Sequence, residues 1–162
     1  MYIQFMRKIK LTQGRYAIVD DDDYNKLVVN RWYYGEYGKT GYAKRASKDR
    51  ERKCIRMHHE VLPLVAGYMI DHINGDGLDN RKQNLRLVTK SQNMMNSGVR
   101  KNSTSGYKGV CWAKRYNKWV VHIWKDYKQI FIGYFKDPKE AALAYNKAAK
   151  IYHGEYAYLN QI

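Results

Sequence analysis

Residues 68–98, YMIDHINGDGLDNRKQNLRLVTKSQNMMNSG, constrain the fold more than any other part of the chain. Two short apolar runs, YMIDHI and LRLVT, flank a loop made almost entirely of turn-forming polar residues, NGDGLDNRKQN. Thr89 and Gln92 then stand at capping-box spacing, which starts a helix at residue 90 and runs it to about Ser97, with Gly98 as its stop. The pattern predicts strand, long loop, strand, short helix. It places Asp71 and His72 at the end of the first strand, pointing to opposite sides of it. Asn93 falls in the first turn of the helix.

The remainder of the chain divides around this segment. Residues 1–56 read as a β-rich N-terminal lobe, with RYAIVD, GYAKRAS and CIRMH as strands. Asp20–Asp23 begins a short helix or a solvated turn, because carboxylates are favoured at helix N-termini; a metal site is the rival reading. Residues 57–98 form the core just described, and 99–106, VRKNSTSG with its flanking basic residues, form a linker expected to be flexible until nucleic acid binds. In 107–162 three strands, YKGVCW, KWVVHIW and KQIFIGYF, precede a helix announced by Asp137 as N-cap, Pro138 at N1 and Glu140 at N3. Ala141, Ala144, Tyr145, Ala148 and Tyr152 give that helix a small-residue stripe able to lie close on a sheet. In the second strand Trp119, Val121 and Ile123 belong under the helix, and Val120, His122 and Trp124 on the open face. The fold class is α+β, with a C-terminal three-stranded antiparallel sheet packed on one helix.

Charge narrows the partner. Thirty Lys and Arg against fifteen Asp and Glu give a formal charge of +15, spread over the whole length. Such a chain attracts polyanions at long range, since neutralising phosphates releases condensed counterions. Sixteen Tyr and four Trp add stacking surface beside the charge. No apolar run approaches the roughly 20 residues that span a bilayer, and the first residues lack a secretory pattern, so no membrane is expected and the location is cytoplasmic. Cys54 and Cys111, far apart, argue against disulfides and a structural zinc.

The central residues have the types that phosphodiester hydrolysis needs. An activated water, neutralised phosphate charge and a stabilised leaving 3′ oxygen can come from a histidine and one hard divalent ion. Asp71 and Asn93 offer oxygen ligands for Mg²⁺, with Mn²⁺ an alternative, and His72 offers a base. MHHEVL, IDHINGDGLDNRKQNLRLVT and the following SQN resemble HNH homing endonucleases of phage and intron origin, which are ββα-metal (His-Me finger) nucleases. The resemblance covers about 40 residues. It implies His72 as general base, Asp71 and Asn93 as metal ligands, and Asn84 as the residue bracing the hairpin loop. His58 matches a structural histidine, and His59 stands where the family carries Arg. It also implies a bacterial or phage-infected cell as the setting.

Residues 106–160 resemble the plant ethylene-response-factor (APETALA-type) DNA-binding domain, which lays its sheet in the major groove of double-stranded DNA. The matching positions are Lys108, Cys111, Ala113, His122, Trp124, Gln129 and Phe131. Several lack the guanidinium that reads guanine edges, so the plant target does not carry over. Lys114, Arg115, Lys118 and Lys128 lie in or beside the turns, as phosphate contacts or as solvated surface. The combined expectation is a monomeric, site-specific, metal-dependent DNA endonuclease. Its rivals are a DNA-binding regulator with a silent HNH scaffold and a structural nucleic-acid protein.

Overall fold

The described residues open with a hairpin. In the computed structural model, which describes residues 5–38 and 40–162, β1 (Met6–Lys10) pairs antiparallel with β2 (Tyr16–Asp20). Alternation sends Ile9, Ala17 and Val19 inward and leaves Tyr16 outside. Residues 1–4 of the expected β-rich lobe, and Lys39, lie outside the described residues. Next comes α1 (Asp21–Val28), with Asp21, Asp22 and Asp23 in its first turn, where free backbone N–H groups favour carboxylates. The acidic run is a helix start. Asp20 does not cap it; its carboxylate instead accepts the backbone N–H of Lys82 at 2.8 Å.

A three-stranded antiparallel sheet follows, with β4 (Thr40–Ala46) between β3 (Tyr33–Tyr37) and β5 (Cys54–Arg56). One helical turn, α2 (His58–Val61), leads to the hairpin of β6 (Met69–His72) and β7 (Leu85–Val88). The expected separation of a lobe at 1–56 from a core at 57–98 is not how these residues pack. One apolar cluster unites Ile9, Val19, Leu27, Trp32 and Ala43 with Met57, Val61 and Leu85. Each fully buried aliphatic side chain stabilises by about 1.5–3 kcal/mol, so a shared cluster ties the two segments together. The chain divides instead into two compact units, Met1–Val88 and Thr89–Ile162.

The second unit opens with α3 (Lys90–Asn96). Its capping box is formed: Gln92 N–H donates to the Thr89 hydroxyl at 3.3 Å, and Thr89 N–H donates to the Gln92 amide oxygen at 2.8 Å. The helix ends at Ser97 in extended backbone, so Gly98 is not a left-handed stop. β8 (Val110–Ala113), β9 (Lys118–Lys125) and β10 (Lys128–Phe135) make an antiparallel sheet with β9 central. α4 (Pro138–His153) starts where Asp137 accepts the Glu140 N–H at 2.8 Å. Ala141, Tyr145 and Ala148 are buried as the stripe predicts. Ala142 and Ala149 complete the contact, while Ala144 and Tyr152 sit at its margin. A helix on a three-stranded sheet presents a wider face than a single row, and Val110, Val121 and Ile123 fill the other side. Gly109 makes the seat possible. Its φ is +76°, and a β-carbon there would overlap the Tyr145 ring. The expected linker is hydrogen-bonded at its far end, where the Ser105 hydroxyl donates to Val110 O at 2.8 Å.

Candidate active site and nucleic-acid interface

The hairpin register decides what surrounds Asp71 and His72. Asp71 stands opposite Arg86 and His72 opposite Leu85. Both acidic and imidazole side chains are buried. Arg86 meets Asp71 across the strands, with Nε and Nη2 each 3.0 Å from Oδ2. Arg86 escaped the sequence reading; only the register of the hairpin identifies it as the residue facing Asp71.

The loop after His72 is held by its own polar groups. Asn84, buried, donates from its amide to Asn74 Oδ1 at 3.0 Å and to Asp79 O at 2.8 Å. Its amide oxygen accepts the Asn74 backbone N–H at 3.0 Å, and its backbone oxygen accepts the Ile73 N–H at 2.9 Å. Asp79 takes Arg81 in a two-point contact of 2.8 and 2.7 Å and also accepts from Asn74 at 3.0 Å. The Arg81 bond holds the Asp79 carboxyl below the usual carboxylate range, although burial opposes it. The loop is also tied to β2: Ile18 N–H donates to Leu78 O at 2.8 Å, and Asn80 N–H to Ile18 O at 2.7 Å. Gly77 passes β4 so closely that a β-carbon would overlap the Gly41 carbonyl and the Tyr42 ring. Asn74, Asp79 and Arg81 looked like ordinary turn residues in the sequence.

Three histidines gather beside this loop. The His58 ring meets the His72 ring edge-on at 4.9 Å and the His59 ring at 4.5 Å, and Tyr42 stands 5.7 Å from His58 and 5.9 Å from His72. Burial, then the neighbouring His72, His59 and Arg56, push the His58 pKa down to about 2. Burial also lowers His72, against the opposing pull of Asn80 and the carboxylates of Asp71, Asp76 and Asp79. His72 is therefore a neutral imidazole at neutral pH.

Among the described residues, no group of three His, Cys, Asp or Glu side chains could hold a metal ion. A lone anionic oxygen at Asp71 supplemented by amide oxygens suits a hard, largely hydrated ion such as Mg²⁺, which binds through one or two carboxylates. Asn93 lies half-buried in α3 and belongs to the second unit, whereas Asp71, His72 and Asn84 belong to the first.

The sheet of the second unit has one open face. The register puts Cys111 opposite Val120, Phe131 opposite His122 and Gln129 opposite Trp124, so these side chains share it with Ala113 and Lys118. Trp124 is 57% and Phe131 52% exposed. A bulge between Phe131 and Gly133 shifts the alternation and brings Tyr134 onto the same face. The result is a run of rings: His122 to Phe131 at 5.8 Å, Phe131 to Tyr134 at 5.0 Å, Tyr134 to Tyr116 at 4.6 Å. Tyr116 and Tyr134 were invisible as site residues because regular alternation turns position 134 inward. Lys114, Arg115 and Lys128 are exposed at the turns and Lys118 is half-buried.

Lys108 does not join them. Its ammonium donates to three carbonyls at the end of α3, those of Met94 at 3.0 Å, Met95 at 2.6 Å and Ser97 at 2.7 Å. Burial lowers its pKa to about 8. The turn at Gly109 takes Lys108 off the strand pattern that placed it on the DNA-facing side.

The chain is similar to several known proteins. A family model described as HNH endonuclease matches residues 61–95. The chain is 37% identical over 82 residues to Protein 3.8 of Escherichia phage T7, covering 48% of this chain and 68% of that protein. It is 29% identical over 163 residues to an uncharacterised HNH endonuclease of Acanthamoeba polyphaga mimivirus, covering 93% of this chain and 77% of the relative. An AP2-like ethylene-responsive transcription factor of Arabidopsis thaliana is 37% identical over 60 residues, which are 37% of this chain and 12% of that protein. No solved structure matches. Among the described residues no helix is long and apolar enough to cross a membrane.

Proposed function

We propose that this chain, which belongs to the same family as Protein 3.8 of Escherichia phage T7 and carries an HNH endonuclease domain, is a metal-dependent, site-specific DNA endonuclease of the homing type. The observation that carries this reading is the strand end at Asp71 and His72, followed directly by a loop locked through Asn84, Asn74 and Asp79. A base that must meet water and phosphate at a fixed distance gains from such a support, because small misplacements cost large factors in rate.

In this reading His72, uncharged at neutral pH, accepts a proton from the attacking water. Asp71 supplies the anionic oxygen for a divalent ion, Mg²⁺ or Mn²⁺, and Arg86 across the hairpin holds that carboxylate in place. Asn93 as the second ligand rests on the sequence pattern alone. The ion, when bound, would neutralise charge on the phosphate and stabilise the leaving 3′ oxygen. Asn84 sets the loop. The products are 5′-phosphate and 3′-hydroxyl ends.

The second unit supplies affinity and site choice on double-stranded DNA. Its rings from Tyr116 to His122, with Trp124 and Gln129, face the bases, and Lys114, Arg115, Lys118 and Lys128 face phosphates. The protein acts as a monomer in the infected cell. Purified protein with Mg²⁺ should nick or cut DNA carrying its site. The His72→Ala variant should bind that DNA with unchanged affinity and cleave it about 10²- to 10⁴-fold more slowly. Equal cleavage by the two proteins would remove His72 from the mechanism, and binding without cleavage by the wild type would favour a regulator.

A further inference from the structure

A seven-residue helix in water is marginal on its own, and α3 has no fully buried residue with which to anchor itself. Its N-terminus is closed by its own capping box, but the last carbonyls of any helix have no partner within it. Here they are met from outside. The three hydrogens of the Lys108 ammonium match three acceptors, the carbonyls of Met94, Met95 and Ser97. A cation is also the favoured charge at this end of a helix. Tyr158 adds a backbone N–H to Met95 O at 3.3 Å, and its ring lies 5.6 Å from the Lys108 ammonium.

Lys108 is itself gripped. Its N–H donates to Asn160 Oδ1 at 2.7 Å, and its carbonyl accepts from the Asn160 amide at 3.2 Å. Asn160 is buried and exchanges two further bonds with Asn146 of α4, at 2.8 and 2.9 Å. A continuous chain of hydrogen bonds thus runs from α4 through the C-terminal segment and Lys108 to the end of the helix bearing Asn93. An ammonium whose three hydrogens are spent on three carbonyls is not a phosphate contact.

We propose that Lys108 is a positioning residue for the nuclease: it fastens the Asn93 helix to the sheet domain, so that Asn93 moves with the DNA-reading unit rather than on a loose tether. The proposal rests on the endonuclease reading and on Asn93 as a ligand. It separates Lys108 from the cations of the turns, which act on affinity.

Full-length protein carrying Lys108→Met keeps the length of the side chain and loses its donors. Its Kd for DNA should remain essentially that of wild type, while kcat falls about 10- to 100-fold, as when a support of a metal ligand is lost. Lys108→Arg should recover part of kcat. Amide exchange should rise in residues 90–97 and stay unchanged in β8 to β10. A weakened Kd with unchanged kcat and unchanged exchange would overturn the proposal and return Lys108 to the phosphate contacts. If the Met variant fails to fold, wild-type protein decides: NMR couplings across hydrogen bonds should link the Lys108 ammonium nitrogen to the three carbonyl carbons, and their absence would overturn the clamp. Wild-type protein that shows the couplings but cleaves nothing would defeat the nuclease reading and leave the fastening intact.

Discussion

The loop at 73–84 and the open face of the second unit's sheet are organised by opposite means. The loop is held by its own polar groups: Asn84 bonds Asn74 and Asp79, Asp79 bonds Asn74 and Arg81, and Ile18 of β2 takes the backbone of Leu78 and Asn80. The sheet face leaves its rings uncovered, and its geometry comes from the apolar core beneath, where α4 lies on Val110, Val121 and Ile123. A site for bond-breaking gains from fixed dipoles and fixed distances. A surface that meets bases gains from exposed, sequence-tolerant stacking area, with its shape guaranteed from behind. Stability should therefore respond to polar deletions in the first region and to steric changes behind the second.

The sharpest way to break this contrast is Gly109→Val. It puts a β-branched side chain at φ +76°, where its β-carbon would overlap Tyr145, and should destabilise the second unit by roughly 3 kcal/mol or more. Urea unfolding followed through the sheet would show it. An unchanged midpoint would mean that α4 is not seated through this close approach. Asn84→Ala should cost roughly 1–3 kcal/mol in the first unit, because it leaves the buried Asp79 carbonyl without this partner and removes the bonds that Asn84 makes to Asn74. A loss below about 0.5 kcal/mol would show that the loop does not depend on this network.

Acid offers a third handle on the first unit. His58 is held near pKa 2 when folded and titrates near 6.5 when unfolded, so the unfolded state binds the extra proton. Its contribution is complete above pH 6.5 and declines as pH falls below it. Between pH 7 and 5 the His58 share of the loss should be about 2 kcal/mol, and His58→Phe should remove that share from the slope. An equal slope in both proteins would place the acid sensitivity elsewhere. The smallest effects belong to the sheet face. Phe131→Ala should weaken DNA binding by about 1 kcal/mol without altering its salt dependence, whereas Lys128→Ala should reduce the salt slope by about 1. Titrations at several salt concentrations separate the two.

Local patterns in the chain were legible where neighbours alone decide the structure. The Thr89–Gln92 capping box and the Asp137–Pro138 start formed as read, because their partners lie within one turn. The strand ends at Asp71 and His72 were legible from the polar loop that follows. Features that needed distant partners were not. Met57 and Val61 share a core with Ile9 and Trp32, which no local window reveals. Arg86 faces Asp71 only once a register is chosen, and Tyr134 reaches the open face only through a bulge. Lys108 was misplaced for a related reason: sequence supplies its charge, but the turn at Gly109 decides where that charge points.

Cleavage by wild-type and His72→Ala protein of the same labelled DNA in Mg²⁺, with binding measured in parallel, bears most directly on the central claim. The account predicts cleavage by the wild type, equal Kd for both proteins, and a rate about 10²- to 10⁴-fold lower for the variant. Equal rates would contradict it.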